Sequence, residues 1–229
     1  MNDKKIIIKK DGPYLVKGNI PLGELIIVST KEGNIYKQGR VFPLKEQYAL
    51  CRCGKSSTMP FCDGTHAAIK FNGTLKASRE LFMDQAVSYD GENLILKDVE
   101  ELCAFARFCR SKQGDVWDLT ETSTSKEYDA YAIKMACECP AGRLVMIDKK
   151  TNQAIEPHYE PSIMLLQDNP EECSGPLWVR GGIIIEDDQG YVYEKRNRVT
   201  LCRCGESYNK PFCDAIHIDT EFKDDTFND

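Results

Sequence analysis

Three cysteines and a histidine fall within sixteen residues in "CRCGKSSTMPFCDGTH", residues 51–66. Nearly the same stretch, "CRCGESYNKPFCDAIH", returns at residues 202–217. Both have the spacing C-x-C-x8-C-x3-H, with Cys51, Cys53, Cys62 and His66 in one copy and Cys202, Cys204, Cys213 and His217 in the other. Thiolate and imidazole are the donors that hold zinc and iron. A C-x-C pair in an extended turn can aim two thiolates at one metal. The third cysteine and the histidine lie four apart, so one helical turn would bring them to a common face. Pro60 and Pro211 sit where a proline can open that helix. Asp63 and Asp214 would then fall in its first turn, where the helix dipole favours a carboxylate. A Cys3His set is compatible with structural zinc and with an iron–sulfur cluster, although zinc commonly uses the wider C-x2-C knuckle.

Composition narrows the chemistry. The chain has 229 residues, 41% hydrophobic and 29% charged, which suits a globular protein of one to three domains. Its formal net charge of -6 argues against general nucleic-acid binding. No run of apolar residues reaches membrane-spanning length. The start, "MNDKKIIIKKDGPYLV", lacks the core of a secretion signal and the Arg/Ser bias of a transit peptide, so a cytoplasmic address is expected. Eleven cysteines is an odd count, and six of them recur in two identical patterns beside histidines. Metal or cluster ligation is therefore expected before a disulfide framework.

The elements that must position these donors also repeat. "GPYLVKGNI" at 12–20 precedes the first cysteine motif and "GPLWVRGGI" at 175–183 precedes the second. The interval from marker to motif is about twelve residues longer in the first copy. Branched and aromatic residues predict strands in "YLVKGNI", "ELIIVST" and "NIYKQGRVFPL", then in "LWVRGGIII" and "YVYEKRNRVTL". Turns are expected at 31–34 and 187–190. Two copies around an unrelated middle predict a pseudo-symmetric pair packed about a local two-fold axis. In the middle, "GENLILKDV" reads as a strand and "KDVEELCAFARFC" as helical or turn-like. "SKEYDAYAIKMAC" reads as a helix with Ser125 as N-cap, and "GRLVMIDKKTNQAI" as a hairpin. "EPHYEPSIMLLQDNPEECSGP" reads as a Pro-rich, acidic connection, and "KDDTFND" as an acidic end.

On these residues both motifs resemble the CDGSH (mitoNEET-like) iron–sulfur family, whose pattern is C-x-C-x2-[ST]-x3-P-x-C-D-G-[SAT]-H. The first copy matches throughout. The second keeps its four donors, Ser207, Pro211 and Asp214, but carries Ala215 and Ile216 where the family has Gly and a small residue. The resemblance implies a [2Fe-2S] cluster at each motif. Cys51 and Cys53 would hold the inner iron of the first, with Cys62 and His66 on the outer iron. Cys202 and Cys204, then Cys213 and His217, would do the same in the second. One imidazole in place of a thiolate raises the potential relative to all-cysteine ligation, and makes His66 and His217 the expected labile points. The second copy, with its altered "CDAIH", is where a difference in exposure or lability is expected first. Arg52 and Arg203 are expected either to offset cluster charge or to be solvated at the surface. Ser56 and Ser207 would bond a cluster sulfur or the backbone, or cap the turn.

Cys103, Cys109 and Cys139, in the order C-x5-C…C-P, resemble the single-cluster bacterial ferredoxins, which carry a [3Fe-4S] or [4Fe-4S] cluster on a small α+β fold. "GDVWDL" at 114–119 fits a short strand of that pattern, and Ala106 stands where a four-iron site would have another cysteine. Cys137 is a further thiol, either a fourth ligand or idle. Cys173 is expected to be a free thiol and His158 a loop or surface histidine.

Together these readings predict an α+β protein in which a β-rich CDGSH pair flanks a ferredoxin-like segment. The first arm would span 1–76, the insertion 77–170 and the second arm 171–229. The expected role is electron transfer or cluster storage and delivery, not catalysis. No phosphate loop, dinucleotide fingerprint or Ser-His-Asp arrangement is present in the sequence. The expected partner is a redox protein or an apo iron–sulfur acceptor, with no nucleic acid and no membrane, and internal pseudo-symmetry makes a monomer plausible. Two other readings are a zinc-binding structural or interaction module and an electron-donor subunit of an enzyme system.

Overall fold

The structure is a computed structural model describing residues 4–224 and residue 227; the other residues, including most of the acidic "KDDTFND" end, lie outside the description. The first arm supplies β1 (Lys5–Ile8), β2 (Tyr14–Lys17), β3 (Leu22–Thr30), β4 (Gly33–Val41) and β5 (Gln47–Leu50), then the short helices α1 (Thr65–Ala68) and α2 (Phe82–Gln85). The middle supplies β6 (Val87–Asp90), β7 (Leu94–Asp98), β8 (Arg110–Ser111), β9 (Gly114–Asp115), α3 (Val116–Thr122), α4 (Lys126–Glu138), β10 (Leu144–Asp148) and β11 (Gln153–Ile155). The chain returns through β12 (Ser162–Asp168), β13 (Cys173–Arg180), β14 (Ile184–Asp187) and β15 (Arg198–Leu201). The protein is thus β-rich α+β, and no helix among the described residues is long and apolar enough to cross a membrane.

Neither outer arm owns a sheet. One sheet has the order β14-β1-β2-β5, and a second has the order β15-β13-β12-β3-β4. Parallel pairing joins β1 to β14 and β3 to β12, so each sheet is stitched from the two ends of the chain. The alternation in β1 and β2 turns Ile6, Ile8, Tyr14 and Val16 inward. They meet Ile163, Leu165, Leu177, Val179, Ile185, Val199 and Leu201 in one core. Two sheets that share a core in this way cannot be separated without exposing it to water.

The stretch around "SIMLLQD" corrects the sequence reading. It is not a connection but β12, which lies between β13 and β3 in the five-stranded sheet. Its near-continuous burial explains why no alternation announced it. One side packs into the shared core and the other packs under Trp178, Tyr36 and Tyr159. Likewise "GDVWDL" is strand only over Gly114–Asp115. Asp115 then caps α3 by accepting the Asp118 N–H, so Val116, Leu119 and Thr120 are buried from a helix. Of "YVYEKRNRVTL", only Arg198–Leu201 is strand.

The inserted segment has its own antiparallel sheet, β11-β10-β7-β6, with α3 and α4 against it. Leu94, Leu96, Val116, Leu119, Met135, Leu144 and Met146 form its core. The hairpin turn at 149–152 lies where expected, and Ser125 caps α4 through the Tyr128 N–H at 3.3 Å. The other end of α4 is tied to the outer sheet. Buried Arg198 of β15 donates to the carbonyls of Ala136 at 2.8 Å and Cys139 at 2.7 Å, and it pairs with Glu156 at 2.7 Å. A cation on the last carbonyls suits the negative end of the helix.

Candidate metal centres

Each outer motif is a hairpin that folds back on itself. In the first, Cys51 N–H donates to Pro60 O at 2.8 Å and Cys62 N–H to Ala49 O at 3.0 Å. In the second, Cys202 N–H donates to Pro211 O and Cys213 N–H to Thr200 O, both at 2.9 Å. The helix expected from Pro60 is absent at that point. Met59-Pro60 and Lys210-Pro211 are cis, α1 begins only at Thr65, and the second copy has no helix there but a turn over 216–221. The donors are brought together by a carboxylate clamp instead. Asp63 accepts the N–H groups of Ser57 at 2.8 Å and Thr65 at 2.9 Å. Asp214 likewise accepts those of Tyr208 at 2.7 Å and Ile216 at 3.3 Å. Thr65 and Ser57 thereby hold the Asp63 carboxyl well below its usual range. Ser56 and Ser207 brace the same loops, donating to Phe61 O at 2.6 Å and Phe212 O at 2.7 Å, which is the turn-capping role.

The resulting donors meet in pairs. Cys51 and Cys53 have their sulfurs 3.7 Å apart, and Cys62 Sγ lies 3.3 Å from His66 Nδ1. In the second motif the corresponding separations are 3.6 Å for Cys202 and Cys204, and 3.4 Å from Cys213 Sγ to His217 Nδ1. Among the described residues, no three His, Cys, Asp or Glu side chains group closely enough to hold a single ion. Backbone N–H groups are aimed at several of these sulfurs, from Lys55 to Cys53, Gly64 to Cys62, Gly205 to Cys202 and Ala215 to Cys213.

Behind each C-x-C turn lies a buried arginine, not a solvated one. Arg52 and Arg203 are each 2% exposed. Arg52 donates to the carbonyls of Gly12, Gly73 and Lys9 at 2.7, 2.8 and 2.9 Å. Arg203 donates to Gly175 O and Leu166 O, and it also pairs with the buried carboxylate of Asp224. The two turns touch each other. A Cβ on Gly54 would lie 2.2 Å from Cys204 O, and one on Gly205 would lie 2.5 Å from Cys53 O. Tyr14 crosses the same junction, donating to Cys202 O at 2.7 Å. The glycine that follows C-x-C in both copies was the available sequence signal for this contact; Tyr14 had none.

The two sites differ in enclosure. Cys62 and His66 are half-buried, whereas Cys213 and His217 are each 3% exposed. Ile216, the departure from the family pattern, packs with Met59 and Phe222 around Cys202 and Cys204. Burial, then the Arg203 charge, push His217 down to about 4. In the second C-x-C pair the Cys204 thiol bonds Cys202, lowering Cys202 to about 7 and raising Cys204. Burial raises the Cys53 thiol to about 11.

The middle cysteines also converge. Cys103, Cys109 and Cys139 line one cavity together with Ala106, Phe108 and Arg143. Between the first two, Phe105 and Arg107 adopt positive φ of 55 and 62. Such left-handed steps turn successive N–H groups inward, as in nests that surround anionic groups. Among the described residues no backbone carbonyl accepts the N–H groups of 104–108. Burial, with Cys139 and Cys103 beside it, pushes the Cys109 thiol up to about 11. Cys139 and Cys213 pack in the same apolar cluster with Ala104 and Ala141, so the middle site adjoins the second outer site. Cys137 is turned away, with its sulfur 3.6 Å from Ile155 O. Cys173, the first residue of β13, is buried and its thiol is pushed up to about 11, while His158 is exposed and pairs with Glu160 at 3.2 Å.

The family comparison decides the assignment. The model of the iron-binding zinc finger, CDGSH type, matches residues 11–67 and 174–218, and that of the divergent 4Fe-4S mono-cluster matches 89–149. The chain thus carries two CDGSH-type segments with a divergent 4Fe-4S segment inserted between them. All eight outer donors fall inside the CDGSH segments, and Cys103, Cys109, Cys137 and Cys139 fall inside the inserted one. No curated protein and no solved structure matched the chain.

Proposed function

We propose that this chain is an iron–sulfur electron carrier with three clusters. Two would be [2Fe-2S] clusters, on Cys51, Cys53, Cys62 and His66 and on Cys202, Cys204, Cys213 and His217. The third would be a [3Fe-4S] cluster on Cys103, Cys109 and Cys139, because Ala106 lies on the wall of that cavity and Cys137 faces away from it.

The observation that carries the reading is the pairing of donors. A structural zinc ion needs four donors around one point. A cluster spreads its protein donors over several irons. Sulfur–sulfur and sulfur–imidazole pairs at 3.3 to 3.7 Å, without a closer group of three, suit two irons with two donors each. When bound, the clusters supply one-electron chemistry. The chain's own contribution is to hold neutral imidazole and ionised sulfur in place, to aim N–H groups at the sulfurs and to exclude water from the second site. Because burial raises the bare Cys53 and Cys213 thiols, cluster insertion at them must release protons.

We read the CDGSH segments as halves related by a local two-fold axis and the inserted segment as ferredoxin-like. The reciprocal contacts of Gly54 with Cys204 and of Gly205 with Cys53 support the first. The packing of Cys139 with Cys213 and of one C-x-C turn on the other supports reading the three sites as a contiguous row suited to relay. The chain then acts as a carrier and not as a catalyst, exchanging electrons with a protein partner.

The test is anaerobic purification followed by iron, sulfide and zinc analysis with EPR. The expected result is a red-brown protein with seven irons per chain, counting two, two and three for the proposed clusters. A three-iron signal should appear in the oxidised state and vanish in Cys109→Ser. A colourless protein with stoichiometric zinc would overturn the proposal.

A further inference from the structure

The two CDGSH loops have the same backbone plan and opposite rim charges. Lys55 of the first corresponds to Glu206 of the second, Ala68 to Asp219 and Lys70 to Glu221; all six are exposed. The turn before the first GP marker reads Lys9-Lys10, and that before the second reads Glu171-Glu172. The lysine turn adjoins the half-buried histidine, since a Cβ on Gly12 would lie 3.6 Å from His66 Nε2.

The ligand loop that carries His66 and the turn that meets it at Gly12 expose Lys9, Lys10, Lys55 and Lys70 beside Asp11 and Asp63. Both carboxylates already accept backbone N–H groups, Asp11 from Gly73 and Asp63 from Thr65. Asp188 also reaches this turn, accepting the Lys10 N–H at 3.1 Å, so four lysines stand against three carboxylates and the rim carries a net positive charge of one. Around His217, Glu206, Asp214, Asp219 and Glu221 stand against Lys210 and Lys223, a net negative charge of two. The whole chain is acidic, at -6, so the His66 rim is basic against the trend of the molecule. Its centre is apolar: Ala67, Ala68 and Ile69 of the α1 turn are exposed, Ile69 by 48%. An apolar centre inside a charged rim is the anatomy of a protein-docking patch. Like-charge repulsion at the other rim would turn the same partner away from the enclosed site.

We propose that the face around His66 is the docking surface for a protein whose own redox or acceptor face is acidic. The first CDGSH site is thereby the external port of the molecule. This rests on the iron–sulfur reading for its purpose, but not for the contact itself.

The test uses the full chain and an acidic [2Fe-2S] ferredoxin as probe, with affinity read by surface plasmon resonance across a salt series. Iron and sulfide are assayed before each run, so that loss of the cluster reading is seen separately from loss of binding. Lys55→Glu/Lys70→Glu should weaken binding about tenfold or more at low ionic strength, with the difference shrinking as salt screens the rim. Glu206→Lys/Glu221→Lys should bind at least as tightly as the parent. Circular dichroism that matches the parent confirms that each variant is folded, and the Glu206 pair keeps the comparison informative if the lysine pair misfolds. The proposal is overturned by absent binding, by equal binding of the Lys55 variant, or by salt-sensitive dimerisation in sedimentation that the same substitutions abolish. The last outcome would assign the surface to a second copy of the chain.

Discussion

At the residue scale, two positions decide how each ligand loop is held. Ala215 adopts φ 72 where the first copy has Gly64 at φ 92. A side chain in the left-handed region is strained by its own Cβ, which glycine lacks. Ala215→Gly should therefore stabilise the protein by about 0.5–1 kcal/mol after the added flexibility of the unfolded chain, as read by urea unfolding. Asp63 is the second position. Its carboxyl is held below the ordinary 3.8 by the N–H groups of Thr65 and Ser57. A depressed carboxyl contributes stability that is complete above its ordinary value and is lost as pH falls through the depressed one. The parent clamp should thus survive mild acid, while Asp63→Ala should lose first-site iron faster even at neutral pH. Visible absorbance decay in the presence of a chelator measures this, and equal decay rates would refute the clamp.

At the element scale, the two C-x-C turns form the junction between the ends of the chain. Gly54 and Gly205 sit at φ 72 and 88 and have no room for a Cβ against the opposite cysteine carbonyl. Gly54→Ala combines backbone strain with a backbone clash that no side-chain motion relieves. It should cost roughly 2–4 kcal/mol and impair iron loading at both sites together. Calorimetry and iron content check this; damage confined to the first site would show that the turns act independently. The same scale explains why β12 was unreadable as a strand. It is buried on both faces, by the shared core and by the aromatic layer of Tyr36, Tyr159 and Trp178, so its residues had no polar side to alternate.

At the scale of the whole molecule, the insertion and the C-terminal return enclose one outer site and leave the other open. Cys213 is covered by Ala104, Ala141 and Cys139, and Cys202 and Cys204 by Ile216, Phe222 and Met59. The first site keeps Cys62 and His66 within reach of solvent. Chelator at mildly acid pH should therefore remove the absorbance of the two proposed [2Fe-2S] clusters in two phases, the first site before the second. His66→Cys should slow only the fast phase and lower the potential of that site, because thiolate replaces neutral imidazole. Spectropotentiometry and stopped-flow decay read both effects; a single phase in the parent would contradict the enclosure argument. The sequence had marked the second copy as the place to look for a difference, and the structure gives its direction: Ile216 adds apolar cover where the family has a small residue.

The sequence by itself determined the candidate donor set, its repetition and the presence of a second kind of cysteine pattern. These are legible because ligation depends on residue type and short spacing, both of which are local. It also marked the caps and turns at Ser125 and at 149–152, where a few side chains bond their own neighbours. Only the tertiary structure decided that β14 joins β1 and β12 joins β3, because parallel pairing across most of the chain leaves no local trace. It decided that Arg52 and Arg203 are buried, since an arginine beside a cysteine reads the same in water or under a loop until its carbonyl partners are known. It also decided which histidine is open. His66 and His217 occupy motifs of identical spacing, and beyond the local cover of Ile216 what separates them is supplied by neighbours remote in the chain, namely Ala104, Ala141 and Cys139 on the second site and none of these on the first. Burial is a sum over such distant neighbours, and spacing within a motif carries no record of them.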